Sequence, residues 1–321
     1  MSMYEARQNK EKVSRRIDVT GSGARQRMSK INLHAQQKEF DKFYLKTTTQ
    51  FFPDEAKIKE RAYFIWKKKG RPNQTQQEQQ EDYYLARMEE IQKEQFDTEE
   101  NKIHNEIDVS YPINIHYSNG IKKTIIIKGK QTENFEKFQI ALSQAIPIWE
   151  DMSIDIPNGL EIYYTDVTGV REAAYHFDNG KIIMTQTMFQ KPKDITNQNI
   201  VRGGFSTVGT LTGVSNQVSN SDIEHGAAIL THELGHILHK MSDHKEFSRM
   251  QSGKNNAVNG QIVTDVSYYA ANSGSNLEFV AEVFTGLVHG IDFKSSTINE
   301  YLKLGGYPNI VRRRYPHLLK N

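Results

Sequence analysis

Two imidazoles and a carboxylate share one helical turn in Thr231-His232-Glu233-Leu234-Gly235-His236. Residues four apart on a helix lie on the same face, so His232 and His236 can converge on one ion held about 2 Å from each ring. Glu233 sits too close along the helix to share that ligand set. Its chemistry is that of a general base, taking a proton from water whose acidity the metal has raised. The pattern therefore points to metal-assisted hydrolysis. A helix is the expected carrier: Ser221-Asp222-Ile223-Glu224 has the spacing of a capping box. Ala227, Leu230, Leu234, Ile237, Leu238 and Met241 then form an apolar stripe at helical spacing. Packing alone accounts poorly for two inward histidines beside a glutamate.

A catalytic zinc commonly takes three protein ligands and one water, so this turn is one ligand short. A third histidine further along the same segment would need a glycine three residues after His236. His239 and Ser242 stand where that solution requires glycine and histidine. A second helix offers the alternative, in Asn276-Leu277-Glu278-Phe279-Val280-Ala281-Glu282-Val283-Phe284, with Phe279, Val283 and Phe284 as its packing side. Glu278 and Glu282 are four apart and share a face. Two unpaired inward carboxylates would be costly there. A cation explains one, and the other can orient His232 or His236 through the free ring nitrogen. Glu278 as ligand with Glu282 behind it is preferred to the reverse.

The elements that must position these residues stand in a chain of 321 residues with 37% hydrophobic content, enough for a core in part of it. The mean hydropathy of −0.67 implies that another part packs poorly. A net charge of +2 gives no global field for nucleic acid or an anionic membrane. Zero cysteines exclude disulfides and thiolate ligands, leaving His, Asp and Glu for any metal. Met1 to Gln8 contains no apolar core region, so no signal peptide is expected, and no run approaches the length of a membrane span. The expected location is the cytoplasm, or outside the cell by a route that reads no such signal.

Residues 1–50 carry eleven Lys or Arg against five Asp or Glu and read as a flexible basic leader. Such a tail could serve delivery or docking, or be solvated without a partner; no aromatic interleaving supports nucleic-acid binding. Residues 51–105 read as a polar helical region or linker, with a helix over Glu55–Lys69, a Gln-rich run at 74–80 and a further helix through Tyr83 to Ile91. The folded domain is expected over 106–321. Ile107–Ile115 and Lys122–Ile127 flank Ser118-Asn119-Gly120 as a hairpin, a helix covers Asn134–Trp149, and Leu160–Tyr164 reads as a strand. Ala173–Phe177 and Lys181–Thr185 form a second hairpin around Asp178-Asn179-Gly180. The stretch Arg202–Asn220, with Gly203, Gly204 and Gly209, is either a mobile lid or a floppy insertion. His225 and His239 read as polar neighbours of the metal turn, while His244, His289 and His317 carry no pattern.

His232-Glu233-Leu234-Gly235-His236, the Glu278–Phe284 segment and a tyrosine shortly upstream together resemble the gluzincin metallopeptidases. Among these the chain resembles the catalytic domain of anthrax lethal factor and the related Pro-Pro endopeptidases, over roughly 107–321. The resemblance implies an α+β zincin-like domain with a small mixed sheet, an active-site helix and a C-terminal helical part. It puts the third zinc ligand on Glu278 and an oxyanion-stabilising tyrosine on Tyr269 or Tyr268. That match is offset, because the family spacing falls on Ala271. The resemblance also implies that the hairpin around Asp178 borders the metal helix and binds an extended peptide at its free edge. The implied function is a zinc-dependent endopeptidase acting on a protein or peptide, of the toxin or effector kind, with the leader engaging a secretion or injection apparatus. Two other readings compete: a zinc-binding interaction module without turnover, and a nucleic-acid- or surface-binding protein acting through its basic leader.

Overall fold

A computed structural model describes residues 54–70, 75–189, 221–251, 258, 260–273 and 275–319. The basic leader and the stretch 202–220 lie outside the described residues. Helix α1 (Glu55–Lys69) starts at Asp54, whose side chain accepts from the Ala56 N–H at 2.8 Å, and ends at Gly70 in the left-handed region. Helix α2 (Gln76–Ile103) begins with a capping box on Thr75 and Glu78. The described part of the Gln-rich run thus opens a helix of 28 residues.

Strands β1 (Val109–His116) and β2 (Lys122–Gly129) pair antiparallel, and helix α3 (Glu133–Asp151) crosses from β2 to β3 (Leu160–Thr165). The short β4 (Ala173–Tyr175) and β5 (Lys181–Thr185) form the second hairpin, whose turn holds Asp178 and Gly180 at positive φ. Sheet order is β1-β2-β3-β5-β4, with β2, β3 and β5 parallel and β4 antiparallel at an edge. Helices then follow: α4 (Asp222–Ser242), α5 (His244–Gln251), α6 (Gly260–Thr264), α7 (Tyr268–Ser273), α8 (Asn276–Val288), α9 (Ser295–Lys303) and α10 (Pro308–Arg314). The class is α+β with a small mixed sheet. Among the described residues no helix is long and apolar enough to cross a membrane.

Successive side chains on a strand point to opposite faces, and the core divides accordingly. Leu160, Ile162, Tyr164, Ile182 and Met184 face the large core, with Phe135, Phe138 and Trp149 of α3, Leu230 and Leu234 of α4, and Phe279 and Phe284 of α8. Tyr163 and Ile183 face the other way, with Phe96 and Ile103 of α2, Tyr175 and Phe177. Phe96 meets Tyr163, Tyr175 and Phe177 edge-on, at centroid distances of 5.2 to 5.6 Å.

The stretch 51–105, expected as a polar helical region or linker, is helical over most of its described part. Its described part belongs to one compact unit, Phe52–Asn321, and α2 covers the second face of the sheet. Glu89 of α2 is buried between Arg61 of α1 and Lys240 of α4, at 2.7 Å from each. Burial would raise the Glu89 pKa, but the two cations outweigh it and the carboxyl stays ionised. The division expected between residues 105 and 106 falls just past the end of α2.

Candidate metal centre

Helix α4 is stopped at its N-terminus by a capping box: the Glu224 N–H donates to Ser221 Oγ at 3.2 Å and the Ser221 N–H to Glu224 Oε2 at 3.1 Å. From His225 to His239 it is buried almost all round, between α3, the β4–β5 hairpin and α8. Met241, expected in the apolar stripe, is instead 54% exposed, because the helix has by then run past the core. Gly235 sets the approach of α8: a Cβ there would stand 2.9 Å from Phe284 Cδ1 and 3.4 Å from Ala281 Cα. Any larger residue would hold the two helices apart.

That close crossing brings Glu278 onto the imidazole pair. Glu278 Oε2 lies 3.1 Å from His232 Nε2 and 3.4 Å from His236 Nε2, and one ligand atom of each residue lies within 4.8 Å of the others. Donors each about 2.0–2.1 Å from a tetrahedral ion would be about 3.3 Å apart, so the set fits a divalent cation with a position left open. Glu282, one turn further along α8, accepts from His232 Nδ1 at 2.9 Å and is 3% exposed. This contact fixes the ring and leaves Nε2 to face the cluster.

The electrostatics follow from this crowding. Burial would lower the His232 pKa, but hydrogen bonds and charge from Glu278 and Glu282 overcome it and drive it up. Burial would raise Glu278, yet His236 and His232 hold it far below the usual carboxylate range. Glu233, one residue past the first histidine, is pushed upward chiefly by burial; the imidazoles oppose this, and Glu278 and Glu172 add to it. A raised carboxylate pKa suits a group that must take and return a proton near neutral pH.

Tyr269 of α7, 44% exposed, sets its ring 5.9 Å from that of His232, edge-on. Its pKa is raised, by burial first and then by Glu278, Glu233 and Glu282, so it remains a hydrogen-bond donor. The Tyr268 side chain lies outside what the structure describes. Among the sequence candidates, then, His232, His236, Glu278, Glu282, Glu233 and Tyr269 come together.

A family model described as "Alpha-glucan water dikinase, DUF7067" matches residues 58–98. The matched segment lies on α1 and α2 and includes none of the metal-cluster residues. No curated protein and no solved structure matches the chain.

His176 and Thr231 stand around the cluster without having carried a sequence signal of their own. His176, just past β4, has its N–H bonded to Gln92 Oε1 at 3.0 Å, and its ring is 6.3 Å from that of His236. Burial, then His236, Lys240 and His239, lower its pKa and keep it neutral. Thr231, immediately before His232, is fully buried and joins Trp149 Nε1 at 3.0 Å and His289 Nε2 at 3.2 Å. His239 is a structural neighbour, its Nε2 bonded to the Leu304 carbonyl at 2.7 Å.

Proposed function

We propose that this chain is a zinc-dependent endopeptidase of the gluzincin kind, with a zincin-like fold, acting on a polypeptide. The convergence of Glu278 on His232 and His236, with Glu233 between them on the helix, carries this reading. His232, His236 and Glu278 would hold the ion, and Glu282 would orient His232. Zinc in such a site acidifies water and polarises a carbonyl oxygen. Glu233 takes the proton of the attacking water as its oxygen bonds to the carbonyl carbon. It then returns that proton to the amine as the C–N bond breaks. Tyr269, kept protonated by burial and then by its carboxylate neighbours, donates to the oxygen that gains charge.

The edge strand β4 lies against α4, where an extended substrate can add to the sheet. A structural zinc site closes all four positions with protein groups. Among the described residues only His232, His236 and Glu278 gather as donors, which favours turnover over a binding module. Delivery as a toxin or effector through the basic leader is part of the same proposal, and rests on the resemblance of the catalytic residues. Glu233→Gln is expected to abolish cleavage of a peptide library while zinc stays near one per chain. Retained cleavage in that variant would defeat the assignment.

A further inference from the structure

Past the core, Met241 of α4 joins Ile237 of the same helix and Phe64 and Ile65 of α1 as the apolar part of a cavity of about 750 Å³. The cavity lies between α1, the turn of the β4–β5 hairpin and the end of α4. Gly180 fixes the turn as one wall: at φ 84° it rests on α4, and a Cβ there would stand 3.0 Å from both Cδ1 and Cγ2 of Ile237. Phe64 and Met241 are 52% and 54% exposed, so apolar surface is left in water here. The volume lies in the range of sites that enclose small organic molecules. Among the described residues the wall includes none of His232, His236 and Glu278, so an occupant is independent of the peptidase reading.

The polar wall is mainly cationic. Arg61, Lys68, Lys69 and Lys240 line it, against the carboxylates of Glu89 and Asp178. Buried Glu89 serves two of these cations at once, at 2.7 Å from Arg61 Nε and from Lys240 Nζ. Asp82, itself buried, pairs with Lys69, and the exposed Asp178 stands 3.7 Å from Arg61. Four cations of the wall thus meet three carboxylates, one of them screened by water. Burial lowers the Lys240 pKa, and Glu89 opposes this without cancelling it. Cationic heads pinned by buried carboxylates are preorganised for an anion. A phenyl ring and a thioether beside them suit an aromatic body on that anion.

We infer that the cavity between α1, the β4–β5 turn and α4 is a binding site for a small organic anion, with a carboxylate or phosphate head on an aromatic body. Arg61, Lys69 and Lys240 take the head, and the body lies on Phe64, Ile237 and Met241. Lys68 adds to the attraction from the solvent side. The site binds and does no chemistry on its ligand.

The test titrates the full chain calorimetrically with 3-phenylpropionate and phenyl phosphate, and with 3-phenylpropanol, acetate and inorganic phosphate as controls. At least one aromatic anion is expected to bind about tenfold or more tighter than the neutral alcohol and than acetate or phosphate; the tighter of the two names the head group. Lys68→Glu and Lys240→Gln should each weaken that anion several-fold and leave 3-phenylpropanol unchanged, whereas Phe64→Ala should bring it toward acetate or phosphate. Lys240→Gln disturbs the Glu89 pair and is checked by its thermal midpoint; Lys68 and Phe64 are exposed, so their variants carry the test if it unfolds. The Met241 methyl resonance of methyl-labelled protein, assigned with Met241→Leu, should shift as the anion is added. Titrations with zinc present and with zinc removed by a chelator should agree; an affinity that disappears with the metal places the anion at the metal centre and overturns the assignment. So does equal binding of the anion and the alcohol, an unmoved Met241 methyl, or unchanged affinity in both Lys68→Glu and Phe64→Ala.

Discussion

Thr231→Val tests how the metal helix is held, because it removes one hydroxyl at nearly constant volume. Thr231 Oγ1 donates to the Ala227 carbonyl at 2.9 Å, so Trp149 Nε1 and His289 Nε2, at 3.0 and 3.2 Å, must both donate to it. Valine leaves both donors unmet inside the core. The indole N–H has no alternative tautomer and should cost about 1–3 kcal/mol; the imidazole can move its proton to Nδ1 and should cost nearer 1. The expected loss of stability is about 2–4 kcal/mol, read from urea unfolding at pH 7.5. In a Trp149→Phe background, where the indole donor is already gone, Thr231→Val should cost about 1–2 kcal/mol less. A loss below about 1 kcal/mol, or the same loss in both backgrounds, would refute the claim that Thr231 ties α3, α4 and the end of α8 together.

Glu282→Ala should weaken zinc binding by about 10–100-fold, measured by competition with a chelator, since the His232 ring loses its orienting carboxylate. An unchanged affinity would remove Glu282 from the site. Burial lowers the His289 pKa from 6.5 to about 4, so the fold favours the neutral ring. Its contribution is complete above pH 6.5 and is lost as pH falls from 6.5 to 4, by about 3 kcal/mol in all. Urea unfolding at pH 7.5 and 4.5 should show a smaller acid loss in His289→Gln than in the wild type; equal losses would contradict this.

Local chemistry made much of the site readable. The capping box at Ser221, the apolar spacing of α4 and the Asp178-Asn179-Gly180 turn are short-range signals, and each element stands where its residues call for it. Helix α2 was harder to read. Its buried Leu85, Met88, Ile91 and Phe96 are diluted by Gln and Glu, and only the aromatic surface of Tyr163, Tyr175 and Phe177 shows why Phe96 and Ile103 turn to the sheet. The parallel pairing of β2, β3 and β5 joins strands separated by long connections and leaves no local mark. The same holds for Gly235: its role depends on Phe284 and Ala281, far along the chain. His176 was invisible for a related reason, since it stands just past a three-residue strand and is placed by Gln92 of α2.

Zinc K-edge absorption fine structure of the zinc-reconstituted chain, with Glu278→Ala alongside, reads the ligand set directly. The expected wild-type spectrum has two imidazole nitrogens and light oxygen donors at about 2.0–2.1 Å, with the imidazole scattering kept and one oxygen exchanged or lost in Glu278→Ala. An ion coordinated by oxygen alone, or a Glu278→Ala spectrum and zinc affinity identical to those of the wild type, would contradict a centre built from His232, His236 and Glu278.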